Sequence, residues 1–336
     1  MILDIFCHWL PQAYFDAARR HAATLPHMLV RARALPVMVN VEARLALMDQ
    51  FPDYRQVISL AFPPVEDIAG PEATPELARI ANDEMASLVT KYSDRFPAFV
   101  ASLPMNNSEA ALAEAERAIK VLGACGVQIF TNVNGRPLDE PEFMALFELM
   151  AELDRPIWLH PARGMDFPDY LTENVSKFEL WCVLGWPYET SAAMARLVFA
   201  GVFDRWPHLK IITHHTGGMV PMVEGRLGPQ LDVLGTRTPP GQEDVVRTPL
   251  KERPLNAFRR FYADTASFGS RATIECGLYF FGIERLLFAS DMPFGAEQGA
   301  GNIRDTLKAI QEMNLSPEER AQILAGNAQR LLQLSG

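Results

Sequence analysis

Residues 96–133, FPAFVASLPMNNSEAALAEAERAIKVLGACGVQIFTNV, decide the fold class because they join two short apolar runs through one amphipathic segment. The apolar runs are rich in Val, Ile and Phe, which is typical of parallel strands that are covered on both faces. In the middle segment, Ser108 and the following Glu-Ala-Ala predict a helix start, and Gly123 predicts its end. The stretch therefore predicts a β-strand, an α-helix and a second β-strand in succession.

The same alternation recurs along the chain, where about eight apolar runs are separated by longer segments of helical character. Repeated units over 336 residues favour an α/β fold of the closed (β/α)8 TIM-barrel type over an open doubly wound sheet. A GxGxxG turn after the first run would favour the open sheet, and none follows it. The runs are ILDIFC (2–7), QVISLAF (56–62), FPAFVASL (96–103), VQIFTNV (127–133), PIWLH (156–160), KIITHH (210–215), RFYADT (260–265) and RLLFAS (285–290).

No linker or low-complexity tract divides the chain, so we predict a single barrel domain over residues 1–336. Three connections are longer than simple turns: 63–75, 162–190 and 236–254. In barrels such loops often carry specificity. The loop insert at about 162–190 holds several aromatic residues, so it is a candidate lid or subunit contact, although packing alone would account for it equally well.

The composition is that of a globular protein, with 49% apolar residues, 21% charged residues and a formal net charge of −10. No stretch clusters Lys and Arg as nucleic-acid binding requires, so we exclude nucleic acid as the main partner. No apolar run approaches the roughly 18 residues of a membrane span, and Met1 leads into the first strand without a basic leader. The four cysteines match neither a disulfide framework nor a CxxC zinc site. We therefore predict a cytoplasmic protein that is not inserted in a membrane.

Polar residues that could carry chemistry stand at or just past the ends of the predicted strands. Because the carboxyl ends of barrel strands meet at one rim, where active sites are built, we expect these side chains to lie close together. Imidazoles with a carboxylate suit Zn²⁺, or Mn²⁺ if more oxygen ligands join, and three protein ligands leave positions open for water or substrate. The residues are His8, His160, the pair His214 and His215, Asp264 and Asp291.

Six motifs, five of which contain these residues, together resemble the amidohydrolase-related family (amidohydrolase 2). This family contains aminocarboxymuconate-semialdehyde decarboxylase and the non-oxidative aromatic-acid decarboxylases. The resemblance runs almost from end to end and implies a metal-dependent (β/α)8 barrel. The motifs are DIFCHWLP (4–11), IFTNVNG (129–135), PIWLHP (156–161), KIITHHTGGMVP (210–221), YADT (262–265) and LLFASDMPFG (286–295).

The resemblance also implies roles for individual residues. His160 would be a metal ligand, and Asp291 would be a ligand that also handles a proton. His215, followed by Thr-Gly-Gly, would be the catalytic histidine beside the metal. Neighbours on a strand face opposite ways, so we expect only one of His214 and His215 to point at the substrate. Asp264 could orient a histidine or cap the next helix, and both possibilities stay open.

The first strand departs from the family pattern. Its alternate positions Asp4, Phe6 and His8 would share one face. The family usually has His-x-His or Glu-x-His here, so Phe6 stands where the resemblance implies a ligand. His8, His160 and Asp291 would still supply three ligands, which is enough for a catalytic site. We expect Asp4 to be a buried structural carboxylate.

Two arginines are candidates for substrate binding. The resemblance places Arg44, in VEARLALMD, where an arginine would pair with a substrate carboxylate through its bidentate fork. A solvated charge on a helix is an equally good interpretation of Arg44. Arg163, which follows the ligand motif in HPAR, could do the same work with less support.

The leading hypothesis is a metal-dependent carboxy-lyase that uses Zn²⁺ or Mn²⁺. Its substrate would be a small aromatic or enoic carboxylic acid with a neighbouring hydroxyl, amino or oxo group. The first alternative is a metal-dependent hydrolase or hydratase, because such enzymes use the same ligands. The second is a degenerate barrel that binds a small acid without turnover, which the missing ligand at Phe6 keeps open. A homodimer is the default expectation for the oligomeric state.

Overall fold

The structure, a computed structural model, describes residues 1–334. Within them, eight parallel strands lie side by side in chain order, each hydrogen-bonded to the next, with helices between them in the sequence. This arrangement confirms the predicted (β/α)8 barrel. The strands are β1 (Ile2–Trp9), β2 (Tyr54–Leu60), β3 (Ala98–Ser102), β4 (Gly126–Phe130), β5 (Ile157–His160), β6 (Ile211–Thr213), β7 (Tyr262–Asp264) and β8 (Leu286–Leu287).

The barrel is nearly closed between β8 and β1. The backbone N–H of Ile5 donates to the carbonyl of Phe288 (3.1 Å), and the N–H of His8 donates to the carbonyl of Met292 (2.7 Å). These bonds hold the segment that follows β8 against β1. The first strand and the segment after the last strand therefore meet where His8 and Asp291 lie.

A β-bulge in β1 lies between Asp4 and Cys7. The extra residue shifts the alternation of side chains by one position. Ile5 and Phe6 consequently both belong to the apolar cluster inside the barrel. The expectation that Asp4, Phe6 and His8 share one face is therefore wrong for Asp4, which points away from this cluster.

Helices surround the barrel, and their start signals are readable in the sequence. The helix predicted over 108–123 is Ser108–Lys120, and its cap is the Asn107 side chain, which accepts a hydrogen bond from the N–H of Ala110. In residues 1–334 no helix combines the length and apolar character needed to cross a bilayer. The α-helices are Gln12–His21, His27–Arg33, Pro36–Val39, Val41–Met48, Thr74–Lys91, Ser108–Lys120, Met144–Glu152, Leu180–Val183, Gly185–Phe199, Val202–Arg205, Glu224–Leu231, Pro254–Phe258, Arg271–Phe281, Ala300–Glu312, Pro317–Ala321 and Asn327–Leu332.

The insert at about 162–190 follows β5 directly. Residues 162–179 form turns and bends, and two helices, Leu180–Val183 and Gly185–Phe199, begin within the insert. Leu171 and Phe178 are among its exposed apolar side chains. Because the insert leaves from the carboxyl end of a strand, it lies at the mouth of the barrel.

Candidate metal centre

The ends of four strands bring imidazole and carboxylate groups together at the barrel mouth. His8 lies in β1, and His214 and His215 follow β6. Asp291 follows β8 and lies between them. Its Oδ1 atom is 3.1 Å from His8 Nε2 and 3.4 Å from His214 Nε2, and its Oδ2 atom is 3.8 Å from His215 Nε2. With His160, whose ring centroid is 5.4 Å from that of His8, the structure assembles all four predicted metal and catalytic residues in one place.

Hydrogen bonds at Nδ1 orient two of these rings. Ser59 in β2 places its hydroxyl 3.4 Å from His8 Nδ1. The carbonyl of Pro161 lies 2.7 Å from His160 Nδ1, so that nitrogen carries the proton and donates. A partner at one ring nitrogen leaves the other free as a ligand. Both rings therefore have Nε2 available for a common centre.

The third ring, His214, is oriented by a buried carboxylate. Its Nδ1 atom forms a short hydrogen bond with Oδ2 of Asp264. Asp264 is held in turn by its Oδ1 atom, which accepts from the N–H groups of Thr216 (3.2 Å) and Ala266 (3.0 Å). The sequence left two roles open for Asp264, to orient a histidine or to cap the next helix. In the structure its carboxylate orients His214.

This donor set fits a divalent metal ion. Ligand atoms of His8, His160 and His214 all lie within 4.8 Å of one another, and the same holds for His214, His215 and Asp291. The Nε2 atom of His214 is buried and lies 3.4 Å from Asp291 Oδ1, the carboxylate that would share the ion with it, so this nitrogen is placed to act as a ligand. Imidazole nitrogens with one carboxylate suit both Zn²⁺ and Mn²⁺.

The electrostatics of the cluster also suit a cation. Burial, with the neighbouring imidazoles, lowers the pKa of His160 well below its ordinary value, and burial likewise lowers the pKa of His215. Burial acts in the same direction on His214, but the Asp264 carboxylate outweighs it and raises the pKa to about 9. Burial would raise the pKa of Asp291, but hydrogen bonds from the surrounding histidines lower it well below its ordinary range. In the metal-free protein the centre thus combines the neutral imidazole of His160 with the ionised carboxylate of Asp291, and His214 would release the proton that it holds at neutral pH on binding an ion.

His214 is the residue that sequence reasoning missed. The expectation that only one of the pair faces the site assumed a strand through both residues, but β6 ends at Thr213. Beyond it, His215 and Thr216 adopt left-handed backbone conformations with φ of 52° and 57°. This turn brings both rings, whose centroids are 3.8 Å apart, to Asp291. The Gly-Gly that follows Thr216 was the only sequence signal for such a turn.

Phe6 lies inside the cluster, as its position two residues before His8 suggested. Its ring stacks on the His214 imidazole, with the centroids 3.8 Å apart and the planes 15° apart. The ring centroid is 5.5 Å from that of His8 and 5.8 Å from that of His160. An apolar ring therefore fills one side of the centre and keeps water from it.

Aromatic side chains form the walls above the centre. The rings of Phe62, Phe130 and Trp186 lie with centroids 5.9, 5.2 and 5.6 Å from that of His160. Phe62 also lines a cavity of about 690 Å³ between the helix His27–Arg33 and the insert. The Phe62 ring thus lies between this cavity and His160, and the histidines of the centre do not line the cavity.

The two arginines proposed to bind substrate are both paired within the protein. Arg44 is fully buried, and its guanidinium donates to Oε1 of Gln56 and to the carbonyl of His8 (2.7 Å each). A solvated helix charge is therefore wrong for Arg44, and its guanidinium is bound to the protein's own groups, so a substrate contact stays a prediction that would require these bonds to rearrange. Arg163 is 19% exposed and forms an ion pair with Glu189 (2.9 Å). Arg163 thus stays a candidate only if a substrate carboxylate displaces Glu189.

Comparison with known proteins identifies the family. A family model described as amidohydrolase matches residues 7–334. Gamma-resorcylate decarboxylase from a Polaromonas species is 31% identical over 317 residues, which cover 91% of this chain and 90% of that protein. The chain belongs to the amidohydrolase family. Another relative within it, 2-amino-3-carboxymuconate-6-semialdehyde decarboxylase of Dictyostelium discoideum, is 29% identical over 267 residues, or 79% of this chain and 69% of that one.

Solved structures of amidohydrolase-family decarboxylases have the same architecture. A dihydroxybenzoic acid decarboxylase from Polaromonas, solved with bound manganese and the inhibitor 2-nitroresorcinol, superposes with a TM-score of 0.78 at 26% identity, covering 99% of this chain and 96% of that one. For 5-carboxyvanillate decarboxylase from Sphingomonas paucimobilis the TM-score is 0.83 at 26% identity, with 99% of each chain covered. The resemblance seen in the sequence motifs is thereby confirmed.

Proposed function

We propose that this amidohydrolase-family protein is a metal-dependent, non-oxidative decarboxylase. Its substrate is a small aromatic or enoic carboxylic acid with a hydroxyl, amino or oxo group next to the carboxylate. The observation that carries the proposal is the cluster of His8, His160, His214 and Asp291 at the barrel mouth. The identity with gamma-resorcylate decarboxylase, 31% along 91% of this chain, supports the reaction type. The manganese in the Polaromonas structure supports Mn²⁺ over Zn²⁺.

The residues of the centre divide into ligands and a group that faces the substrate. His8, His160, His214 and Asp291 would hold the ion. When bound, the ion supplies positive charge for the substrate carboxylate and its neighbouring oxygen. His215 is 12% exposed and lies on the outer side of the cluster, 3.8 Å from Asp291. His215 is therefore the side chain placed to touch the substrate.

The chemistry required of the protein's own groups is one proton transfer. A proton that the His215 and Asp291 pair takes up from water passes to the carbon that bears the carboxylate. That carbon becomes tetrahedral, its bond to the carboxylate carbon breaks, and CO2 leaves while the bonding electrons restore the conjugation. The pair then regains a proton from water. The step needs no oxidant, because the proton gained replaces the CO2 lost.

The walls of the site favour a flat substrate. Phe62 is stacked on His160 with an interplanar angle of 22°, and Trp186 is stacked on His215 with an angle of 18°. Two aromatic faces that border the proposed catalytic and ligand residues offer stacking to a conjugated ring. This arrangement supports an aromatic acid over an enoic one.

The test is product analysis on protein loaded with Mn²⁺ or Zn²⁺. The protein is incubated in D2O with 2,6-dihydroxybenzoate and with a panel of other hydroxy- and aminobenzoates. We expect CO2 release and one deuterium on the ring carbon that carried the carboxylate. Cleavage of ester, lactone or amide compounds without CO2 release would instead identify the alternative hydrolase. Saturable binding of acids without any product would identify a barrel that does not turn over.

We also propose that the protein is a cytoplasmic homodimer. The exposed apolar side chains of the insert, among them Leu171 and Phe178, support a subunit contact at the barrel mouth. Light scattering after gel filtration should give twice the chain mass of 37.5 kDa. Leu171→Ser with Phe178→Ser should shift the protein toward the monomer. A wild-type monomer at micromolar concentration would contradict the proposal.

A further inference from the structure

A run of buried polar side chains crosses the barrel wall behind the candidate metal centre. Arg44 Nε donates to Gln56 Oε1 (2.7 Å), and Gln56 Nε2 donates to the hydroxyl of Tyr54 (3.1 Å). Tyr54 donates to Asp4 Oδ2 (2.6 Å), and the Ser290 hydroxyl donates to the same oxygen. None of these five residues, here called the wall network, exposes more than 2% of its surface. Hydrogen bonds thus join a guanidinium to a carboxylate without interruption.

Both ends of the wall network contact the backbone beside a proposed ligand. At one end Arg44 Nη1 donates to the carbonyl of His8 (2.7 Å). At the other, Asp4 Oδ1 accepts from the N–H of Ser290 (3.2 Å), the residue before Asp291. Asp291 has a left-handed backbone with φ of 62°, which residues other than glycine keep only where surrounding contacts hold it. The wall network therefore fixes the backbone at His8 and next to Asp291, the two residues from which proposed ligand side chains extend.

The bulge in β1 makes this arrangement possible. Asp4 Oδ1 also accepts from the N–H of Phe6 (3.2 Å), so the carboxylate holds the bulged segment as well as the segment after β8. Without the bulge, the alternation of β1 would turn Asp4 toward the interior cluster that contains Phe6. The bulge and the carboxylate thus act together on the strand that carries His8.

Packing alone does not account for these charges. Arg44 and Asp4 are joined only through Gln56 and Tyr54, and even a direct buried ion pair is often no more stabilising than apolar side chains of similar volume, because both charges lose their hydration. The other side chains around Arg44 in the outer core, such as Trp9 and Phe96, are apolar or aromatic. Buried charges of this kind are best attested where they fix register or position.

We propose that Asp4 and Arg44 are positioning residues, which set the separation of His8 and Asp291 through the wall network. The inference rests on the metal centre of the proposed function, but not on the identity of the substrate. It gives Arg44 a role different from the one its sequence position implied. The guanidinium acts on the backbone of a ligand residue and not on a substrate carboxylate.

The test is metal affinity measured without substrate, by competition of Mn²⁺ and Zn²⁺ with a chelator. Asp4→Asn keeps the shape of the side chain but removes its charge. It also turns an amide N–H₂ toward Ser290 or Tyr54, and because both of these residues donate hydrogen bonds at this position, donor would face donor. Tyr54→Phe removes one hydroxyl and leaves the carboxylate. We expect both metals to bind about 10-fold more weakly or worse in Asp4→Asn, and by a smaller factor in Tyr54→Phe, in line with the effect of losing outer-shell partners.

Arg44 is tested by two further variants. Arg44 donates to Gln56 Oε1 and to the carbonyls of His8 and Val37, and Arg44→Lys keeps the positive charge but loses the planar fork that joins these acceptors. Arg44→Met removes the charge and the donors. We expect metal affinity to fall in the order wild type, Arg44→Lys, Arg44→Met, so that the conservative variant recovers part of the loss.

A matched control separates positioning from general stability. Glu114 is also a buried carboxylate, 5% exposed, and accepts from Nδ2 of buried Asn82 (2.7 Å) on the outside of β3. Glu114→Gln should lower the melting temperature of the metal-free protein and leave metal affinity unchanged. Each wall-network variant is measured in the metal-free state as well, so that a loss of affinity can be compared with its loss of stability.

The outcomes are distinct. Weaker metal binding in Asp4→Asn and Tyr54→Phe, without the same change in Glu114→Gln, supports the inference even if no acid is decarboxylated. Metal affinity equal to that of wild type in variants that only melt earlier would overturn it. A wild-type protein that binds neither ion would overturn it too. Tight binding that the variants weaken, together with no CO2 release from any acid, would refute the proposed reaction alone.

Discussion

Two regions near the barrel mouth bury carboxylates to a similar degree but satisfy them differently. Asp264, at the end of β7, is fully buried and accepts hydrogen bonds from the His214 ring and from two backbone N–H groups. Glu66, in the connection after β2, is 6% exposed, and neither of its oxygens accepts a hydrogen bond within the described chain. Tyr14, whose hydroxyl is also without a partner, faces the same region.

The contrast shows that donors, and not burial, decide where the barrel can keep a negative charge. Burial raises the pKa of Glu66 to about 8, so this residue is protonated at neutral pH. Around the metal centre, donors outweigh the same burial and lower the pKa of Asp291. The barrel mouth therefore keeps a negative charge at Asp291, where histidine rings converge, and not at Glu66.

Removing a ligand gives the largest expected effect. His160→Ala and Asp291→Ala should each lose metal and activity together, because both groups are proposed to hold the ion. His215→Ala should retain the metal and reduce kcat by about 10² to 10⁴-fold, the usual contribution of a general acid. Metal analysis of the purified variants, with the kinetics of each, checks the division. Metal loss in His215→Ala would show that His215 is a ligand and not an acid.

The next largest effect on metal affinity is expected from Asp264, the carboxylate that orients the proposed ligand His214. Asp264→Asn should weaken metal binding by about 10 to 100-fold, because an amide in this position no longer stabilises the His214 tautomer that offers Nε2. The variant should keep its fold, since the acceptor for the N–H groups of Thr216 and Ala266 remains. Chelator competition measures the affinity, and circular dichroism reports the fold. Unchanged affinity would remove His214 from the ligand set.

Replacing Phe6 by histidine should change metal affinity by a smaller factor and in the opposite direction, toward tighter binding. Because its ring lies within 6 Å of three imidazole rings, Phe6→His places an additional nitrogen beside the centre. Metal binding should tighten by about 10-fold. Activity should fall, because the new imidazole occupies a position that substrate oxygen needs. Phe6→Leu, which restores no ligand, is the control. Equal affinities in wild type and Phe6→His would show that the missing ligand does not limit this site.

The sequence predicted the elements of the barrel more completely than it predicted the site. The strand pattern depends on local apolar runs, and His8, His160 and Asp291 could be placed because each ends or follows a recognisable strand. His214 was left without a role because the strand ends at Thr213, two residues before the end of the predicted run 210–215. A change of one residue at a strand end changes which side chain enters the site.

Arg44 and Asp4 show a second limit of the sequence. The motif around Arg44 says nothing about Gln56 or the His8 carbonyl, which are its partners in the fold. The bulge that turns Asp4 away from Phe6 carries no glycine or other local signal in DIFCH. Both depend on contacts between segments that are distant in the sequence, which local patterns do not encode.

A final prediction concerns Glu66 and the stability of the fold, and not the metal centre. Between about pH 4.3, the ordinary pKa of an unfolded Glu, and the folded value of about 8, the folded protein holds a proton that the unfolded chain has lost. Stability should therefore fall with rising pH across this window, by at most about 1.4 kcal/mol per pH unit from this group, and the contribution should be constant below and above it.

Glu66→Gln removes that dependence, because an amide carries no charge at any of these pH values. Urea unfolding of the metal-free protein at pH 5, 6, 7 and 8 should show a flatter stability profile for Glu66→Gln, and the variant should gain most over wild type at pH 8. Asp67, whose pKa burial raises to about 6, contributes a slope at the acid end that both proteins share, so the difference between them isolates Glu66. Glu148→Gln, at an exposed helix position, should follow the wild-type profile. Parallel profiles for wild type and Glu66→Gln would mean that Glu66 has a donor or water in solution, and that the two regions do not differ in the way their carboxylates are satisfied.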